Sequence, residues 1–119
     1  MEIKIRDHNG KRAVLISFST HSEKFKSNYE RNKFFRGLYG WNQVIKKKKC
    51  RYEYRREGLL DEIPHIKVDN SVFIVALKEM EKLMDYMKEW EDKIDYEFMK
   101  IFLEPKEYEK IKPKKIKIR

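Results

Sequence analysis

The chain has 119 residues, 41% charged and 40% apolar, with a formal net charge of +9. That length suits one domain around one core, and seven Phe, seven Tyr and two Trp exclude a chain disordered throughout. A single cysteine, Cys50, excludes an internal disulfide framework and a Cys-rich zinc site, which points to a reducing, cytoplasmic setting.

The opening run Glu2-Ile-Lys-Ile-Arg6 and the run Lys11 to Ser19 read as strands, and Asn9-Gly10 between them predicts a tight hairpin. Neither this N-terminus nor the longest apolar stretch, Val72 to Leu77, suits a secretion signal or the ~20 residues of a membrane helix. A helix is predicted from Ser22 to Leu38, ended by Gly37 and Gly40, with Phe25, Tyr29, Asn32, Phe35 and Tyr39 as its buried stripe. Trp41 to Arg56 reads as one extended ribbon, with the lysine run as a mere solvated hairpin tip the alternative. Taken as a single strand, its odd positions carry Ile45, Lys47, Lys49, Arg51, Glu53 and Arg55, and its even positions carry Val44, Lys46, Lys48, Cys50, Tyr52 and Tyr54. The second half of the even face is expected to pack on the core, making Cys50 a buried thiol.

Gly58 to Pro64 predicts a short helical turn, Ile66 to Val68 a strand, Asp69-Asn70 a turn, and Ser71 to Ala76 a strand covered on both faces. Leu77 to Asp92 is a helix with Met80, Leu83, Met84, Met87 and Trp90 inward and Glu79, Glu81, Asp85, Glu89 and Glu91 outward. Ile94 to Leu103 is a strand. The elements predict an α+β fold, a ferredoxin-like β-α-β-β-α-β sandwich with an extra N-terminal hairpin strand. It forms one domain over residues 1–104, with a flexible basic tail over 105–119.

Charge is segregated along the chain: residues 1–58 carry a net +10, 59–104 a net −6, and 105–119 a net +5. The Lys- and Glu-heavy, Gly-poor composition also resembles that of hyperthermophile proteins. Blocks of one sign suit a directional partner, and a polyanion is the commonest for a basic block. The alternative is that the basic and acidic halves face one another, within the fold or in a dimer.

The stretch Arg31-Asn-Lys-Phe-Phe-Arg-Gly-Leu-Tyr-Gly40, followed by Asn70-Ser-Val-Phe-Ile-Val75 and an acidic helix, resembles the helix-then-strand passage of the small CRISPR-associated nucleases of ferredoxin-like fold. The resemblance implies that fold and no functional residues. That family ends its first sandwich strand on an aspartate, where this chain reads Ser17-Phe-Ser-Thr20.

Phosphate-cradling glycine loops, paired zinc-binding histidines and nucleophile elbows are absent from the sequence, so a non-enzymatic reading leads. No cofactor or metal is expected. Asp61, Glu62 and His65 form the one dense acid-base group; a nuclease reading needs them to converge with Asp7 or His8. His21 is a further isolated candidate.

The expected nucleic-acid contacts are Lys46, Lys47, Lys48, Lys49, Arg51, Arg55 and Arg56 for phosphate, and Tyr52 and Tyr54 for base stacking. Lys24, Arg31, Lys33 and Arg36 of the preceding helix, and Lys114, Lys115, Lys117 and Arg119 of the tail, extend that set. Trp41, beside Tyr39 and Gly40, is expected to plug the core, with a stacking platform as the alternative. RNA is preferred to DNA because no helix-turn-helix or zinc finger is evident and interleaved tyrosines suit unstacked bases. A homodimer or ribonucleoprotein partner is assigned to the acidic helix, and no membrane partner is expected.

Overall fold

Along β1 (Lys11–Thr20), Val14, Ile16 and Phe18 alternate with Ala13, Leu15 and Ser17, so both faces of the strand carry apolar side chains. The computed structural model, which describes residues 10–112, places antiparallel partners on both edges of β1. These are β6 (Ile94–Leu103) along Lys11–Thr20 and β5 (Val72–Ala76) along Ala13–Ser17. β5 also pairs with β4 (His65–Asp69), giving a four-stranded antiparallel sheet in the order β4-β5-β1-β6. The protein is α+β, and β5 is an interior strand, as its unbroken apolar run predicts. The expected N-terminal strand, Glu2 to Arg6, lies outside the described residues.

One sheet face, through Val14, Ile16, Phe18, Phe73, Val75 and Ile94, packs on α1 (Asn28–Tyr39) and α3 (Met80–Glu89). Phe34 and Leu38 of α1 and Leu83 and Met87 of α3 are fully buried there. The other face carries Ala13, Ile74 and Ala76, and Ile111 buries itself completely against them. The boundary expected at residue 104 therefore moves. A helical turn, α4 (Pro105–Tyr108), leads back to the sheet, and burying one isoleucine contributes about 1.5–3 kcal/mol toward holding it there. Residues 113–119, with Lys114, Lys115, Lys117 and Arg119, lie outside the described residues.

The first helix starts later than its aromatic pattern suggested. Ser22–Lys24 forms only a 3-10 turn, Phe25 is extended, and α1 begins after Ser27. Ser27 Oγ accepts from the Glu30 amide at 3.2 Å, while Glu30 Oε1 accepts from the Lys26 amide at 3.0 Å. That reciprocal cap, in the pattern Ser27-x-x-Glu30, outcompetes a start at Ser22. The Lys93 ammonium and the Lys26 amide hold the Glu30 carboxyl below the usual carboxylate range. With the start shifted, the inward stripe is Phe34 and Leu38, flanked by Phe35 and Tyr39. Tyr29, expected in the core, is 77% exposed.

The expected single ribbon is a hairpin instead. β2 (Trp41–Lys47) and β3 (Cys50–Arg56) pair from Trp41 with Arg56 to Lys47 with Cys50, and form a separate two-stranded sheet. Lys48 and Lys49 make the turn, with Lys48 at φ 48°. The chain reverses at its densest charge, where the lysines reach water on all sides. The second strand of the main sheet is therefore β4, and the hairpin stands between α1 and α2 (Leu59–Glu62).

Candidate nucleic-acid interface

The hairpin leaves the body at a root built from two glycines. Gly40 closes α1 at φ 77°, a left-handed value that favours glycine. Gly58 lies against the backbone of Leu38 to Gly40 so closely that any side chain there would collide with it. Across this contact Arg55 Nη2 donates to both oxygens of Asp61 at 2.7 Å and to the Tyr39 carbonyl at 2.9 Å. Asp61 also accepts from the Gly58 amide at 2.7 Å. The Arg55 guanidinium and the Gly58 amide hold the Asp61 carboxyl below its usual range. Tyr39 anchors the same corner by donating its hydroxyl to the Asn70 carbonyl, and burial pushes that phenol up to about 12.

Reversal at Lys48-Lys49 changes which side chains share a face. Partners across an antiparallel pair point the same way. One face therefore holds Trp41, Gln43, Ile45, Lys47, Cys50, Tyr52, Tyr54 and Arg56, and the other Asn42, Val44, Lys46, Arg51, Glu53 and Arg55. Reading the ribbon as one strand had separated Ile45 from the two tyrosines. Every residue of β3 is exposed, including Tyr52 at 46% and Tyr54 at 45%. Cys50, expected to be buried, is likewise exposed, because it closes the turn beyond the reach of either core.

The aromatic face runs back into α1. Tyr29, Lys33, Arg36 and Gly37, spaced three and four residues apart, line a shallow basin with Trp41 and Glu57. The Arg36 guanidinium sits 4.0 Å from the centroid of the Trp41 ring, so this indole is a half-buried platform rather than the expected core plug. Arg56 lies 5.6 Å from the Tyr54 ring and donates from Nε to Gln43 at 2.7 Å. At the far end, Lys47, Lys48, Lys49, Cys50 and Tyr52 line a second depression.

Of the residues expected on the interface, Lys33, Arg36, Lys46 to Lys49, Tyr52, Tyr54 and Arg56 are exposed on the ribbon or the adjoining helix. Arg51 is exposed but pairs with Glu53 at 3.2 Å. Arg55 is committed to the root. Arg31 is turned onto Phe35 at 5.1 Å with its Nε buried, and Lys24 lies in the 3-10 turn before α1, at the end of that helix away from the ribbon. Gln43 and Tyr29, not expected on this surface, lie on it, and Trp41 takes there the alternative place that its position beside Tyr39 had offered. The pair Phe34 and Leu38, four residues apart, was the signal that turns Tyr29 outward, because Tyr29 is about 140° around the helix from Phe34.

Of the acid-base candidates among the described residues, Asp61, His65 and His21 each have a structural partner. Asp61 is part of the root, His65 donates from Nδ1 to the Ile63 carbonyl at 2.8 Å, and His21 pairs with Asp95 at 2.6 Å at the opposite end of α1. Asp7 and His8 lie outside the described residues. Among the described residues no group of three or more His, Cys, Asp or Glu is placed to hold a metal ion, and no helix is long and apolar enough to cross a membrane. Comparison with protein-family models, curated proteins and solved structures gives no match to this chain.

Proposed function

We propose that the protein is a non-enzymatic nucleic-acid-binding protein, favouring RNA over DNA, and that it binds through the β2–β3 ribbon and the adjoining face of α1. One observation carries this reading: the ribbon puts seven Lys and Arg residues and a single acid, Glu53, on an arm that contributes no buried residue to either core. Such an arm adds nothing to the cores, and its charge density suits phosphate contacts that release counterions. Exposed tyrosines among the cations favour unpaired bases over a duplex groove, which supports RNA. The basic residues 114–119 extend the same chemistry in sequence.

Set apart from the ribbon, the remaining elements run β-α-β-β-α-β, and we read the body as a ferredoxin-like sandwich with the arm inserted after its first helix. The resemblance to the small CRISPR-associated nucleases supports that fold reading and supplies no catalytic residue.

Filter binding to RNA and DNA across a salt series tests the function. Observed affinity should fall linearly on a log-log plot, and replacing Lys46, Lys47, Lys48 and Lys49 with Ala should flatten the slope by up to about 3 for single strands, near 0.7 per lost phosphate contact. Binding that ignores salt, or that survives Lys46–Lys49→Glu unchanged, would reject the proposal.

A further inference from the structure

The two faces of the ribbon carry different chemistry, and that difference names a substrate class. Down the Trp41 face the cross-strand pairs are Trp41 with Arg56, Gln43 with Tyr54, Ile45 with Tyr52, and Lys47 with Cys50. Each of the first three holds one ring and one non-aromatic neighbour, and the fourth ends the row on a cation. Successive pairs on one face are about 6.8 Å apart, two residues of antiparallel strand. A base in a stacked strand occupies about 3.4 Å, so one pleat repeat is twice the thickness of a base.

From these observations we infer that this face is a stacking track for single-stranded polynucleotide, with one base lodging at each of the Trp41, Tyr54 and Tyr52 levels. The inference rests on the nucleic-acid reading above and deepens it. Neighbouring charge fits the role. Arg36 and Lys33 flank the Trp41 end, Arg56 flanks Tyr54, and Lys47 to Lys49 close the tip, so cations border the rings along the whole track. Gln43 adds an amide beside Tyr54 that can reach a base edge.

A duplex offers no such fit, because its bases already stack at 3.4 Å with their faces covered, and spreading them to a 6.8 Å step means unstacking. The opposite ribbon face has no aromatic residue; it holds the Arg51–Glu53 pair and the rooted Arg55, which leaves it only Lys46 as an uncommitted cation. Direction along the ribbon, from the Lys tip to the α1 basin, therefore lies on one side only.

A titration followed by Trp41 fluorescence tests the inference. Trp90 packs against Phe25 and Phe34 in the body, so Trp90→Phe leaves Trp41 as the sole reporter. The probes are oligo(U), oligo(dT) and a blunt RNA duplex of equal phosphate count. Single strands should quench Trp41 and bind at least about tenfold more tightly than the duplex. Tyr52→Ala or Tyr54→Ala should each lose roughly tenfold in single-strand affinity with the duplex unaffected, and Tyr→Phe at both positions should restore it.

Equal affinity for duplex and single strand, or Tyr→Ala variants that bind single strands as well as the parent, would overturn the stacking track and leave the charge-based function standing. Tighter binding of oligo(dT) than oligo(U) would overturn the RNA preference alone. Failure to bind any of the three probes would overturn both the track and the proposed function.

Discussion

The body and the ribbon use aromatic residues in opposite ways. In the body, Phe34 is ringed by Phe18, Trp90 and Tyr86 with centroids at 5.6, 5.5 and 5.8 Å, and all of its surface is buried. In the ribbon, Trp41 and Tyr54 are met by guanidinium groups, and Tyr52 and Tyr54 stay near half exposed. Cations meet rings in the body as well, Arg31 over Phe35 and Lys93 over Phe25 and Trp90, so what separates the two regions is burial and not the charge of the neighbours. Stability follows the same division. A lone two-stranded hairpin is marginal in water, and cross-strand pairs contribute only about 0.2–1 kcal/mol each, so the ribbon is held by its root rather than by its own packing.

The strongest contrast comes from truncating one ring in each region. Phe34→Ala removes the centre of the aromatic cluster and should cost about 3–5 kcal/mol, read as a fall in the urea midpoint. Tyr54→Ala should shift that midpoint by less than about 1 kcal/mol, because the ring is half exposed and shields no core residue. Comparable losses from the two would mean that the ribbon packs as part of the body, and the division would collapse.

Gly58→Ala strikes the join between them. A methyl there meets the backbone of Leu38, Tyr39 and Gly40, none of which can rotate away, and overpacking of this kind costs about 1–3 kcal/mol. Amide exchange should quicken throughout β2 and β3 and much less in β1 and β5. Uniform quickening would show that the root and the core open together.

Acid separates the regions more gently. Asp61 has a carboxyl held below its usual range by Arg55 and Gly58, so its contribution is complete above the ordinary carboxylate pKa and is lost as pH falls through the depressed value. Below about pH 4 the ribbon should loosen before the body melts, detected as a change in Trp41 fluorescence in the Trp90→Phe background. Asp61→Asn removes the ionisable clamp, so that early transition should vanish. Glu30, depressed by Lys93, titrates in the same direction on the body, which is why the readout must come from the ribbon.

Much of the body was legible in the sequence because burial leaves a periodic mark. The unbroken run Val72 to Ala76 marked an interior strand, and Leu83 and Met87 marked the inner side of α3. The start of α1 was written in Ser27 and Glu30, but the denser aromatic pattern from Phe25 obscured it. Ile111 gave no signal, since one apolar residue among lysines has no period to read. The basic character of the ribbon was plain from composition, whereas its reversal stood only as the alternative, a solvated tip at the lysine run. A turn of two lysines lacks the Gly or Asn that announces a hairpin, and one missed reversal exchanged the partners of Ile45 and Val44 and hid the aromatic track.

That turn supplies the smallest effect. Lys48 sits at φ 48°, where a side chain bearing Cβ is strained and glycine is not, so Lys48→Gly relaxes the tip while deleting one cation. The gain is expected to stay below about 1 kcal/mol and to be local, slowing exchange at Lys47 and Cys50 without moving the urea midpoint of the body. Affinity for single strands should meanwhile fall with a salt slope smaller by about 0.7, the share of one phosphate contact. A stiffer tip that binds more weakly would show that charge at the turn, rather than its shape, is what the strained lysine contributes; unchanged binding would place the phosphate path along Lys47 and Arg56, inside the turn.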